Sequence, residues 1–522
     1  MAAPLSASQT TPSHSAVHGT MKELRGFLAD GRVPLSARVA ARAFALGYTA
    51  NVVLDGILPL ALRKKSARQA LGALVSIKSL QSGSVLALFS ALYRALLSRL
   101  TTLRLSLLSR ARKVDELDLS ITRDRIRASL LRVLNSAGLV PFTACLVASS
   151  VLSLFPITSV RRSLALWFST KAVESVYVHL RAVNSRLVSW VPDFIGGGFF
   201  YALANGQLLW TFLFEPSCFP DSYGRVILAR STSYIPPRPA TLPTSIAWPA
   251  SRDIADTIAA LSTPSATAAA YPAFKAPVLS ALTPPKYPTS KYTLINPVLD
   301  YAPAHPAHSR LLCAVLHPTQ PSCLKNLLSF FATEWQASAK LVALFTAISQ
   351  LLSYKKLLND PETALFKFAL AVVQGATVIS GSIGTAWGLT CFFQQYLPRT
   401  LFPRARYFLN GFLSSVFILA VPQARRAQLG SYTTRQSLNA LWGVAEKRGW
   451  CKSVTHADTF LLSLGLATLV AMYETIPTSV DKIIARTMSS LVGSPAALDP
   501  EKQMHLKWSP PTSQAQHKPK SL

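Results

Sequence analysis

Long apolar runs alternate with short basic ones along this chain, and the apolar runs set its elements. A helix that crosses a bilayer needs about 20 largely apolar residues to span roughly 30 Å of hydrocarbon. Stretches near 82–98, 137–156, 194–214, 366–395, 407–422 and 459–474 meet or approach that rule. Four more, 40–62, 163–180, 338–353 and 427–445, keep the helical period but are interrupted by Arg, Lys, Asp or amides, which predicts helices that do not clearly span. Between the two groups, 216–306 is dense in proline with Ser, Thr and Ala. Proline lacks the amide and fixes φ, so no long helix is expected there and the segment reads as a linker. The basic N-terminus 1–36 and the tail 495–522 read as disordered by composition.

The apolar pattern occurs twice. Gly83-Ser84-Val85 has a counterpart in Gly381-Ser382-Ile383, and Ser149-Ser150-Val151 in Ser414-Ser415-Val416. Each second anchor is followed by paired arginines, Arg161-Arg162 and Arg425-Arg426, then by Thr170-Lys171 or Thr434-Arg435. An apolar and aromatic cluster comes next, Val173, Val176 and Tyr177 against Leu438, Leu441 and Trp442. A last apolar helix begins after Asp193 or Asp458 and closes at Glu215-Pro216 or at Glu474 and Pro477. The expected architecture is an all-α, polytopic membrane protein made of two diverged copies of one multi-helix unit, 37–215 and 307–494. The first copy carries a basic insertion at 99–133, and about 6–8 spanning helices plus amphipathic ones are expected in total.

Composition agrees with lipid as solvent. Half of the 522 residues are apolar and 15% are charged, against roughly 25% in soluble proteins. The 53 Lys and Arg outnumber the 23 Asp and Glu, leaving +30, and this charge sits between apolar stretches, as in Arg63, Lys64, Lys65 and Arg68. That placement predicts anionic headgroups as partners and no nucleic acid, since no basic module with aromatic platforms accompanies it. The basic stretch 99–133 belongs on the cytosolic or matrix side by the positive-inside rule. Six cysteines, too few and scattered for a disulfide scaffold, read as mostly reduced thiols.

The polar residues inside this pattern are the candidates for function. An ionisable group at mid-membrane faces a partner or a wet cavity, which singles out Thr170, Lys171 and Glu174 with Thr434 and Arg435 as a candidate polar groove between the copies. Equally, both helices fit an interfacial, amphipathic placement. Arg161, Arg162, Arg425 and Arg426 are candidate headgroup or topology anchors. Gly198, Ala202 and Gly206, and Gly384 with Gly388, have the small-xxx-small spacing of close helix packing. His305, His308, Cys313, His317 and Cys323 crowd together, but their spacing fits no standard zinc motif, so no metal and no cofactor are expected. No phosphate-binding loop, nucleophile elbow or dinucleotide fingerprint appears, so no enzyme is expected.

Cys313-Ala-Val-Leu-His317-Pro318 and Pro321-Ser322-Cys323-Leu324, with Phe330, Phe331 and Lys340, resemble the cysteine-bearing module of the transmembrane protein 135 family, the peroxisomal membrane protein 52 type. Phe408-Leu-Asn-Gly411 through Ser415, with Arg425-Arg426, is similar to that family's repeated core, as are Arg161-Arg162 and Ala172-Val-Glu174-Ser175. The resemblance implies a multi-pass protein of peroxisomal or mitochondrial membranes, distantly related to channel-forming translocase subunits of the mitochondrial inner membrane. It also implies a part in organelle dynamics or lipid metabolism. The expected function is therefore a non-enzymatic scaffold or regulator, with membrane-protein partners or a homo-oligomer left open. The alternative is a translocation pathway for a metabolite, lipid or polypeptide.

Overall fold

The computed structural model of the chain describes residues 35–61, 66–114, 136–155, 158–192, 195–232, 234, 251–262, 308, 310–317, 320–351, 354–398, 401–452 and 454–495. Every element among them is a helix, as the all-α expectation requires. They belong to two compact units, one formed by Met1–Trp190 with Val454–Leu522 and the other by Val191–Ser453. Residues 1–34 and 496–522, most of the expected termini, lie outside the described residues.

The first unit opens with α1 (Leu35–Val52), which runs into a π-helical turn, Val53–Ile57. A capping box then starts α2 (Ala67–Gly72): Ser66 accepts from the Gln69 amide while the Gln69 side chain reaches back to the Ser66 amide. Helix α3 (Ile77–Val114) has 38 residues, about 57 Å at 1.5 Å per residue, and so exceeds the hydrocarbon thickness. Its buried Val85, Phe89 and Tyr93 recur every four residues and form one stripe with Ala43 of α1. The expected insertion 99–133 begins as the continuation of this helix, and 115–133 lies outside the described residues. Next, α4 (Leu139–Ala148) changes after ten residues into a six-residue 3-10 helix, Ser149–Leu154. The tighter coil rises about 2.0 Å per residue, so the composite reaches roughly 27 Å from only sixteen residues. Helix α5 (Thr158–Ala182) presents Ala165, Phe168 and Ala172 to the same core.

The second unit starts with α6 (Gly197–Phe214), followed by a one-turn 3-10 helix, Pro216–Cys218. The segment 216–306, expected to be a linker, is in part core. Its described residues include α7 (Asp221–Ser231) and α8 (Ser251–Leu261), which occupy two proline-free windows. Ile254, Ala255 and Ile258 give α8 an apolar face that buries with Phe212 and Phe219. Arg252 fixes its start by donating to the Phe212 carbonyl at 2.9 Å and pairing with Asp256. Proline density kept these helices short without keeping them out of the fold.

The chain continues through α9 (Leu311–Leu316), α10 (Cys323–Leu351) and α11 (Pro361–Tyr396). Pro361 occupies the first turn of α11 and the Asp360 carboxylate accepts from the Thr363 amide, which defines the start of this 36-residue helix. Helix α12 (Ala405–Ser414) also ends in a six-residue 3-10 helix, Ser415–Ala420, and is followed by α13 (Gln423–Lys447). Helices α6, α12 and α13 cross at glycines. A Cβ on Gly430 would stand 2.2 Å from the Gly197 carbonyl oxygen, and one on Gly411 would stand 2.4 Å from that of Asn205.

After Ser453 the chain returns to the first unit. There α14 (Ala457–Thr475), the turn Pro477–Ser479 and α15 (Lys482–Leu491) complete the core. Leu462, Leu466, Leu469, Val470 and Tyr473 of α14 bury against residues of α3, α4 and α5. The Ser90 hydroxyl donates to the Leu491 carbonyl at 2.7 Å and Tyr473 to the Gly493 carbonyl at 3.0 Å. The compact units are therefore divided differently from the sequence segments 37–215 and 307–494. The last apolar helix of the first segment, α6, packs with α12 and α13, whereas α14 packs with α4 and α5.

Three helical stretches among the described residues, Ala67–Ser109, Pro361–Tyr396 and Ala457–Thr475, are long and apolar enough to cross a membrane. The expected spans at 137–156 and 407–422 are the shorter apolar helices Leu139–Leu154 and Ala405–Ala420. Helix α6, with Asn205 and Gln207 in its middle, is not among those three.

Candidate metal centre

The cysteine and histidine residues near position 313 converge with a cysteine far along the chain. Helix α9 is a short apolar stretch whose Leu312, Val315 and Leu316 are buried, which drives Cys313 into the same core. His317 follows as its C-cap, its amide donating to the Cys313 carbonyl at 2.9 Å. Ser322 accepts from the Lys325 amide at 3.3 Å and so starts α10 with Cys323 as its first residue. The positive end of a helix favours a thiolate there. The fourth group is Cys391, near the end of α11 and 74 positions beyond His317.

The Sγ atoms of Cys313 and Cys323 are 3.8 Å apart, and Cys391 Sγ is 3.4 Å from His317 Nε2. All four donor atoms lie within 4.8 Å of one another. Cys313, His317 and Cys391 are buried and Cys323 is half-buried. The His317 Nδ1–H donates to the Gln320 carbonyl at 2.8 Å, which turns Nε2 toward the sulfurs. His308 lies tilted against the same imidazole, its ring centroid 5.1 Å away, and donates from Nε2 to the His317 carbonyl at 3.1 Å. Burial alone would lower the basicity of His317, but its hydrogen bonds to Cys313 and Cys323 raise its pKa to about 10. Hydrogen bonds from Cys313, Cys391 and His317 hold the Cys323 thiol well below the usual thiol range. The arrangement is suited to hold a soft cation, and the local spacing from which no metal was expected does not include Cys391. Among the sequence's candidates here, His305 and Pro318 lie outside the described residues.

All six cysteines are unbridged. Trp387 and Tyr407 belong to the same core as Cys313 and Cys391, and three buried polar pairs lie in the second unit. Trp387 Nε1 donates to Ser231 Oγ at 3.0 Å and Ser262 bonds Tyr407 at 2.7 Å. Asn410 Nδ2 donates to Thr390 Oγ1 at 3.0 Å.

The candidate groove residues fall in different units: Thr170, Lys171 and Glu174 in the first, Thr434 and Arg435 in the second. Lys171 is buried and meets Glu174 Oε2 at 2.7 Å, three residues along the same helix. Thr170 bonds back to the Leu166 carbonyl at 2.7 Å. Arg435 donates to the Ser431 carbonyl at 3.1 Å and lies over the Tyr432 ring, while Thr434 Oγ1 is buried with no hydrogen-bond partner among the described residues.

The paired arginines divide their work. Arg161 donates to the Ser153 carbonyl at 3.1 Å and Arg426 to the Leu419 carbonyl at 3.0 Å, each closing the open end of a 3-10 tail. Arg162 and Arg425 are exposed. Of the packing candidates, Gly206 and Gly384 are closely approached: a Cβ there would stand 2.8 Å from the Phe408 carbonyl oxygen and from the Phe330 ring respectively. A Cβ on Gly388 would meet the Leu327 methyls from 3.4 Å and the Tyr234 hydroxyl at 3.7 Å, one on Gly198 would meet Ile418 Cγ2 at 3.8 Å, and Ala202 is half-buried. Compared with known proteins, the chain matches no family model, no curated protein sequence and no solved structure.

Proposed function

We propose that this chain is a non-enzymatic, multi-pass protein of a peroxisomal or mitochondrial membrane, acting as a scaffold or regulator of organelle dynamics or lipid metabolism. One observation carries the membrane reading. The long apolar helices turn large apolar side chains outward: Leu365, Phe366, Leu370, Val373 and Phe392 on α11, and Phe460, Leu461 and Leu464 on α14. Water would penalise such faces by about 25 cal/mol per Å², and hydrocarbon removes that penalty. The organelle and its biology rest on the motif resemblance to the transmembrane protein 135 family.

Two diverged copies of one unit are part of the same proposal. Supporting it, each 3-10 tail is followed by an arginine that binds back to it and by a helix of 25 residues, α5 or α13. Helices α6 and α14 then end alike, in a proline-started 3-10 turn and a short helix. Anionic headgroups would meet Arg162 and Arg425, the exposed member of each pair.

Alkaline carbonate extraction of organelle membranes tests the reading. The chain is expected in the pellet, cofractionating with peroxisomal or mitochondrial markers; release into the supernatant would overturn the membrane assignment. A translocation pathway is the second reading, favoured by the buried charge of Lys171. Cysteines introduced at 171 and 435, with native cysteines replaced, would then label from water, and protection of both would remove its support.

A further inference from the structure

We infer that Cys313, His317, Cys323 and Cys391 bind a single Zn2+ ion in a closed tetrahedral site that fastens α9 and the start of α10 to the end of α11. The distances argue for one ion. Two thiolates about 2.3 Å from a common zinc at a tetrahedral angle stand roughly 3.8 Å apart, and a thiolate and an imidazole nitrogen roughly 3.6 Å apart. The observed edges are 3.8 Å for Cys313 to Cys323 and 3.4 Å for Cys391 to His317. A disulfide requires about 2.05 Å between sulfurs, and it would leave a third thiol and an inward-facing imidazole without a role. A two-iron cluster would need its ligand pairs spread across two metals, whereas these four donors share one small volume.

The ligand type and its surroundings select zinc and a structural role. Three thiolates with one imidazole, which gives up its Nε2 proton as the metal binds, form a Cys3His set, which zinc fills in four-coordinate sites with no open position for a substrate. The carbonyl of Gln320 accepts from His317 Nδ1 and orients the ring so that Nε2 faces the centre. The shell beyond is apolar, with Leu312, Leu316, Phe330 and Trp387 in the same core cluster. Cys391 lies five residues before Tyr396, the last residue of α11, about 7.5 Å along the axis. The ion therefore sits at one end of an apolar span.

The test uses the full chain purified in detergent through a tag that does not bind metal. Elemental analysis is expected to give about one zinc per chain, falling at least about tenfold in C313S and C391S and unchanged in C218S and C451S. Because C391S can also fail by misfolding, the parent chain supplies an independent measurement. Chelation should expose three further thiols to maleimide, zinc should protect them again, and Co2+ should produce the thiolate charge-transfer and tetrahedral d–d bands. A parent chain with less than about a tenth of a zinc per chain and these thiols freely labelled overturns the inference. So does a Cys313–Cys323 disulfide found by peptide mass spectrometry, or iron with inorganic sulfide in place of zinc.

Discussion

Arg161 donates from Nε to Asp458 at 2.6 Å as well as to the Ser153 carbonyl, with 13% of its side chain exposed. Its neighbour Arg162 is exposed. Removing one partner of a largely covered, charge-assisted contact leaves the other desolvated, so R161A should cost about 1.5–3 kcal/mol of stability. R162A should cost under about 0.5 kcal/mol. Thermal unfolding in detergent separates the two, and equal losses would remove the division of labour within the pair. Loss of binding to anionic liposomes should run the other way, following Arg162 and Arg425. A second ion cluster gives a pH dependence. Burial alone would raise the carboxyl pKa of Glu215, but Lys447 at 2.8 Å and Arg448 at 3.0 Å outweigh it and hold the group below the usual range. A depressed carboxyl adds stability above its unfolded value, near pH ~4.3, and that stability is lost as pH falls through the lower, folded value. E215Q should therefore melt lower than the parent at neutral pH, with the gap closing in acid; parallel melting curves would show that Glu215 is not the group. The arginine pairs and the metal centre were only half legible in the sequence. The paired arginines were visible as pairs, but which member faces inward depends on the helix phase after each 3-10 tail, and Cys391 carried no local sign of its partners.

The elements were legible where one helix carries its own signal and illegible where two must meet. Apolar length located α3, α11 and α14, and the proline-free windows of α7 and α8 were present in the sequence but hidden by the prolines around them. The 3-10 tails of α4 and α12 left no mark in hydropathy, because the change of coil alters rise and not composition. Small-residue spacing found Gly206 and Gly384 yet chose Gly198 over Gly197, since the close approach of Gly197 to Gly430 is a tertiary pairing of distant residues. This difference predicts a mutational pattern. In G430A and G411A the new methyl group meets backbone at 2.2 Å and 2.4 Å, where nothing flexible can yield. Such overpacking should cost about 1–3 kcal/mol. In G198A the methyl has 3.8 Å to the nearest atom, Ile418 Cγ2, and a helical alanine gains up to about 1 kcal/mol over glycine. Melting temperatures in detergent should fall for the first two and hold or rise for the third; the reverse order would mean that the crossing is not as close as described.

At the scale of the whole molecule the division of the chain decides how it can be cut. The first unit draws α14 and α15 from beyond Ser453, and these supply Leu462, Leu466, Leu469, Val470 and Tyr473 to a core whose other walls come from α3, α4 and α5. Conversely, α6 precedes the expected linker yet crosses α12 and α13 in the second unit. Neither sequence half therefore owns a complete core, although the duplicated pattern suggests that each should. A chain ending at Ser453 loses the central helix of its first unit and exposes Phe89, Tyr93 and Phe168, each largely buried in the full chain. Losing several such side chains costs more than the roughly 5–15 kcal/mol by which a domain is stable. The truncated chain should be degraded, and residues 1–262 expressed alone should fare no better. Coexpressing 1–262 with 307–522 restores every described helix and should recover a stable, copurifying pair. If the truncated chain instead accumulates with the melting temperature of the full one, the assignment of α14 to the first unit is wrong, and the two halves fold as the independent repeats that the sequence pattern implies.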